Sequence, residues 1–289
     1  MILYNPKSWF KHIFNFAKSD TLYILWKELL ALAIVTLGIT YLELNHMKRI
    51  DFLTNMIAVY SLIGFVLSLL LVFRTNTAYD RWWEGRKKWG ELVNNSRNLA
   101  IKISASVTNE EDRAFFVRMI SNYSIALKEH LRKGVTVEML DLTTEEILLF
   151  NDTIHIPNLI TRWMYDRLKK CRKEGQIDDM DYLTIDKNLN SFNDITGACE
   201  RIKNTPIPYS YSLFLKKFIF IYVVTLPMAF VPTFGYGTVL IACFIFYVLV
   251  SIEILAEEIE DPFGKDDNDL PTDSLSIKIG DNVKEILRS

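Results

Sequence analysis

The sequence predicts an all-α membrane protein in which four transmembrane helices are joined to a cytosolic helical domain. Three observations point there. The stretch FLTNMIAVYSLIGFVLSLLLVF, Phe52 to Phe73, has no formal charge between Asp51 and Arg74, and as a helix it is about 33 Å long, enough to cross a bilayer core. Hydrophobic residues make up 50% of the 289 positions while 24% are charged, so the two kinds must be segregated along the chain. Strand signals are almost absent, and Pro and Gly punctuate long amphipathic stretches instead.

Taken in order, residues 1–20 carry Trp9, Phe10, Phe14 and Phe16 among Lys7, Lys11 and Lys18. That pattern suits a cytosolic segment lying on a leaflet or a docked terminus. No cleavable signal is expected, because charges interrupt the start and the first long apolar run opens only near Leu22. Residues 21–73 hold the first two spans, Leu22 to Leu44 and Phe52 to Phe73, with Lys27 and Glu28 placed near the start of the first, where their stems can snorkel. RTNTAYDRWWEGRKKWG then sets Trp82, Trp83 and Trp89 among Arg74, Arg81, Arg86, Lys87 and Lys88, as on a helix that leaves lipid for cytosol.

Residues 74–212 read as the cytosolic helical domain. Helices are expected to Ser106, over Asn109 to Arg132, after Thr143 or Thr144 with Glu145 and Glu146 in the first turn, from Pro157 to about Lys173, and over Asp178 to Lys203. Residues 213–256 hold the last two spans, Leu213 to Val231 with a kink at Pro227 and Thr238 to about Leu255, around a tight reversal at Pro232 to Gly237. Residues 257–289 make an acidic loop, DPFGKDDNDLP, and a polar tail from Thr272 to Ser289 that gives no fold signal. Most Lys and Arg fall on the side shared by both termini and the middle domain, which is therefore expected to be cytoplasmic; Lys48 and Arg49 are the exception.

A net charge of −2 offers no field for nucleic acid. Cys171, Cys199 and Cys243 are widely spaced, which suits reduced structural thiols rather than a disulfide or zinc framework. His12, His46, His130 and His155 fall in different segments, without a metalloprotease motif, phosphate loop or nucleophile elbow. Each reads as a surface histidine, and no catalytic residue is expected.

Two other features could carry function. On the second span, Leu62, Val66 and Leu70 follow one another at helical spacing with Ala58, Leu69 and Phe73 alongside, while Ser61, Gly64 and Ser68 occupy much of the other side. Several subunits presenting such a stripe to one axis would form apolar rings that restrict ions by dewetting; a stripe facing lipid or core is the plainer alternative. In the acidic loop, Asp261, Asp266, Asp267, Asn268 and Asp269 gather oxygen ligands of the kind calcium takes, without EF-hand spacing, and Lys265 lowers the charge.

RTNTAYDRWWEGRKKWG after an apolar span, NTPIPYSYS before the third and EDPFGKDDNDLP after the fourth together resemble the bestrophin family, prokaryotic branch, over most of the chain. The resemblance implies a homopentamer in the lipid bilayer around a central pore, passing monovalent ions with a lean to cations, in a bacterial inner membrane. It implies a hydrophobic neck at Leu62, Val66 and Leu70, and a cytosolic constriction at Met180, with Ile177 the alternative. Asp178, Asp179 and Asp181 beside that exit would concentrate cations. It further implies a calcium clasp made by the backbone carbonyl of Asp261 and the carboxylates of Asp266 and Asp269, joined by the N-terminal segment of a neighbouring subunit; Lys265 and Asn268 stand where calcium-regulated members have acids, so no cofactor is required and the loop is expected to hold subunits together. An anion channel of the same fold and a membrane-anchored helical scaffold are the alternatives.

Overall fold

The computed structural model describes residues 21–46, 56–151 and 153–288, and every regular element among them is helical. In chain order the α-helices are α1 (Thr21–His46), α2 (Met56–Ser106), α3 (Glu110–His130), α4 (Thr144–Asn151), α5 (Ile156–Lys173), α6 (Asp179–Asn204), α7 (Tyr209–Thr225), α8 (Pro227–Phe234), α9 (Gly237–Glu260) and α10 (Thr272–Arg288), with a 3-10 turn at Val137–Met139. Two compact units result, one from Ile2–Asp80 and Pro206–Glu260, the other chiefly from Arg81–Thr205 and Asp261–Ser289. The sequence reading divides apolar from polar at 73/74, 212/213 and 256/257 instead. The first unit extends beyond the uncharged stretch because buried Arg74 and Ala78 continue the inward face of α2. The amphipathic segment of residues 1–20, and Lys48 and Arg49, lie outside the described residues.

Four helical stretches are long and apolar enough to cross a membrane: Thr21–His46, Met56–Ser106, one within Asp179–Phe234, and Gly237–Glu260. The protein is an integral membrane protein. In the apolar unit, Tyr60, Leu67 and Leu71 of α2 pack with Leu215, Ile219 and Val223 of α7, Leu226 and Ala229, and Ala242 and Leu249 of α9. Gly64 lets α7 come close, since a Cβ there would lie 2.8 Å from the Tyr222 hydroxyl. The Tyr60 hydroxyl, in turn, donates to Thr225 O at 2.9 Å, where the ladder of α7 ends. Pro227, lacking an N–H, opens α8 after Leu226, which stays in helical backbone.

In the polar unit, local signals set the helix ends. Asn109 caps α3 by accepting from Glu111 and Asp112 N–H. Thr143 and Glu146 exchange bonds as a capping box before α4, Thr143 N–H to Glu146 Oε2 at 2.8 Å and Glu146 N–H to Thr143 Oγ1 at 3.4 Å. Gly175, at φ +76°, turns the chain out of α5. Trp89, Leu92, Phe116, Tyr123, Met164, Leu189 and Phe192 fill a continuous core. One expectation is corrected: the tail is a helix. Thr272, Ser276, Ile279, Val283 and Leu287 of α10 are buried at spacings of four, three, four and four. Two of those five inward positions are Thr and Ser, which hid the stripe from a reading based on apolar residues.

Candidate functional site

The outer face of α2 is the first candidate. Its inward face is Tyr60, Leu67, Leu71, Arg74 and Ala78. Roughly opposite, Leu62 is 65% and Val66 42% exposed in the subunit, and Leu69 and Phe73 continue the same exposed stripe. Leu70 turns partly inward. It packs against the apolar core, and its carbonyl accepts the Tyr211 hydroxyl at 3.0 Å. Ser61 and Ser68 satisfy their hydroxyls within the helix, on Ile57 O and Gly64 O, and so leave the outer face without a free donor at those positions.

The start of α6 places the other expected pore residues. Met180 is 68% exposed, whereas Ile177 is buried in the core of the polar unit. Of the two alternatives, only Met180 offers its side chain outward from the subunit. Asp178 is the N-cap of α6, its side chain accepting from Asp181 N–H at 2.7 Å. Asp179 pairs with Arg172 at 2.8 Å, both groups being well exposed. Three carboxylates against one guanidinium leave the α6 start locally negative.

The loop after α9 is anchored by its apolar residues. Phe263 and Leu270 are buried and lie against Gly85 of α2, where a Cβ would approach both to 3.2 Å. Trp82 Nε1 donates to Asn268 O at 2.9 Å. Asp261 and Asp266 are exposed, while Asp269 is 2% exposed. Its Oδ2 accepts Asp266 N–H at 2.6 Å, and its Oδ1 has no hydrogen-bond partner among the described residues. Burial, with the nearby Asp266 and Asp261 charges adding, pushes its pKa up to about 6. The expected clasp takes the Asp261 carbonyl, the Asp266 and Asp269 carboxylates and a neighbouring subunit's N-terminal segment, whose residues lie outside the described ones. Among the described residues, the His, Cys, Asp and Glu side chains that converge as a set of three are His130, His155 and Glu200, their ligand atoms lying within 4.8 Å of one another.

That cluster was invisible to sequence reasoning. His130 ends α3, His155 caps α5 through Asn158 N–H, and Glu200 lies far along α6, so only the tertiary packing of the three helices brings them together. Both imidazole Nε2 atoms meet Glu200 Oε1, at 2.6 and 2.8 Å. Burial alone would raise the Glu200 pKa, but the two histidine bonds outweigh it and hold the carboxyl below its ordinary range. A second buried set was also missed: Arg74, 1% exposed, bonds Glu260 at 2.6 Å and lies 3.7 Å from Glu253, which is 2% exposed. Glu260 also accepts Ile207 N–H at 2.6 Å. Cys171 and Cys199 are buried thiols, pushed up to about 12 by burial first, and so are inert at neutral pH.

The profile of the bacterial and fungal bestrophin proteins matches residues 1–285. A voltage-dependent anion channel-forming protein of Nostoc sp. is 37% identical over 228 residues, covering 76% of this chain and 74% of that relative. The voltage-dependent anion channel-forming protein YneE of Escherichia coli O157:H7 is 34% identical over 221 residues, covering 76% and 73%. Among solved structures, a bestrophin homologue from Klebsiella pneumoniae superposes with a TM-score of 0.82 at 27% identity, over 93% of this chain and 99% of its own. With the helical order, the apolar spans and these likenesses in agreement, the chain belongs to the bacterial and fungal bestrophin family.

Proposed function

We propose that this chain is the subunit of a passive ion channel, a homopentamer whose copies turn the outer face of α2 toward one central axis. The exposed stripe of Leu62, Val66, Leu69 and Phe73 carries the reading. Four apolar side chains in successive turns of one helix, repeated around an axis, make a dry neck that ions cross only when it is wetted. Leu70, half-buried, would line the edge of that neck rather than its centre. Met180, exposed at the α6 start, supplies the second constriction. Membership of the family and the likeness to proteins named as channel-forming support the reading.

The permeant ions are monovalent, with a lean to cations drawn from the excess of carboxylate at Asp178, Asp179 and Asp181. The opposite preference is favoured by a specific observation, the anion channel-forming names of the two relatives. The polar unit is cytoplasmic in this reading, as are both termini, and the membrane is the bacterial inner membrane. The chemistry needs no catalytic group and no cofactor. The acidic loop, anchored by Phe263 and Leu270, serves to hold subunits together rather than to clasp calcium.

Purified protein in liposomes tests the proposal. Ion flux is expected down a potassium chloride gradient, and Val66→Ala and Met180→Ala, each opening a narrow point, are expected to raise it. The absence of flux under any gradient, together with a single-subunit mass in native mass measurement, would sink it in favour of a membrane-anchored scaffold.

A further inference from the structure

We infer that His130, His155 and Glu200 form a binding site for a borderline divalent transition-metal ion, with zinc(II) as its probe, distinct from the acidic loop. Two imidazole nitrogens and one carboxylate oxygen form a donor set that suits zinc and its neighbours and suits calcium poorly, since calcium takes oxygen ligands. The three ligand atoms come from three different helical segments and lie within 4.8 Å of one another. On a tetrahedral zinc, ligand atoms sit roughly 3.3 Å apart. The observed Nε2 to Oε1 separations of 2.6 and 2.8 Å therefore need to open by under an ångström. The imidazole ring centres, 4.5 Å apart at 43°, leave the two nitrogens turned to the same carboxylate. The three side chains are 25%, 32% and 30% exposed, so water can reach a fourth coordination position. Three protein ligands and an open position are the arrangement of an accessible zinc site rather than a closed structural one.

A carboxylate only accepts, so without metal each Nε2 carries its hydrogen toward Glu200. His155 Nδ1 is the acceptor for Asn158 N–H, 3.2 Å away, which fixes that tautomer. Coordination through Nε2 displaces both hydrogens, and each ring binds the metal with its one remaining proton at Nδ1. At His155 this makes Nδ1 a donor facing another donor, so loading the site gives up the α5 cap. The ion would thus tie the end of α3 to α6 while loosening the first turn of α5. This inference stands whether or not the chain conducts ions.

The test uses the full chain in detergent, stripped with chelator and titrated with zinc chloride by calorimetry, with cobalt(II) absorption as a second readout. One zinc per subunit is expected, together with visible cobalt bands of a four- or five-coordinate nitrogen and oxygen site. His155→Asn keeps a side-chain acceptor to cap α5 but removes the imidazole. That substitution and His130→Gln are expected to weaken zinc binding beyond the ~10–100-fold typical of losing a supporting residue. Asp269→Asn is expected to leave it unchanged. Size-exclusion elution identical to the parent protein certifies each variant as folded. The inference is overturned if the parent protein binds no zinc, if its affinity survives both histidine substitutions, or if the Asp269 variant loses the site.

Discussion

Arg74 shows how strongly one residue can be committed to the fold. It is the first charge after the uncharged stretch Phe52 to Phe73, yet it is 1% exposed and shares its guanidinium between Glu260 and Glu253 of α9. Burying one cation beside two anions is costly unless all stay together, so Arg74→Ala strands two carboxylates and is expected to cost about 3–5 kcal/mol. A fall in the yield of assembled protein and in its thermal midpoint would register it; an unchanged midpoint would contradict the buried pairing. Tyr123 carries a smaller load. Its buried hydroxyl donates to Phe192 O, lies 2.5 Å from Thr196 Oγ1, and its ring stacks on Phe192 at 4.6 Å. Tyr123→Phe keeps the stack and removes the bonds, so a loss of about 1–2 kcal/mol is expected by differential scanning fluorimetry. Asp273 gives a pH signature. The Arg132 bond first, with Lys128 assisting, holds its carboxyl well below the usual range. A depressed folded pKa stabilises above the unfolded value of about 3.9, and that stabilisation fades as the pH falls below it. Asp273→Asn is therefore expected to lower the thermal midpoint at pH 7, by less than ~1 kcal/mol because the carboxylate is largely exposed. The gap to the parent protein should close in acid; a gap that widened there would reverse the assigned sign.

At the scale of elements, α10 is held on α3 by one buried stripe and a charged fringe. Ile279 and Val283 are 1% and 0% exposed, whereas Ile277, on the same helix, is 66% exposed. Val283→Ala opens a small cavity in that contact and is expected to cost about 1–3 kcal/mol, with faster proteolytic release of the C-terminal segment. Ile277→Ala should move neither measurement. This helix was not legible in the sequence, because Thr272 and Ser276 stand at inward positions and dilute the apolar period. The neighbouring helices were legible, and for nameable reasons. Asn109, Thr143 with Glu146, Pro157 and Gly175 each announce a helix end through a backbone group that must be satisfied or a φ that must turn positive. Asp178 was legible as the opening residue of α6, but its role as a capping acceptor gives its carboxylate a local structural use as well as an electrostatic one.

For the whole molecule, composition and order revealed the apolar spans and the polar helices between them, because lipid and water impose different alphabets on the chain. Long-range chemistry stayed hidden. His130, His155 and Glu200 lie on separate helices, and Arg74 and Glu253 are separated by most of the polar unit in sequence; no local pattern encodes either meeting. On α2, Leu62 and Val66 are exposed in the subunit, while Leu70 is half-buried against the apolar core; helical spacing groups the three, and only the neighbouring helices set how far each turns inward. The proposed dry neck at Leu62 and Val66 and the proposed negatively charged exit near Met180 make one claim together, that identical copies enclose a selective water path. The most direct measurement is the reversal potential of the reconstituted protein in asymmetric potassium chloride. The account predicts a steady current whose reversal potential lies toward the potassium equilibrium potential and shifts toward zero in the Asp178→Asn, Asp179→Asn, Asp181→Asn triple variant. A reversal potential on the chloride side, unmoved by those substitutions, would contradict it.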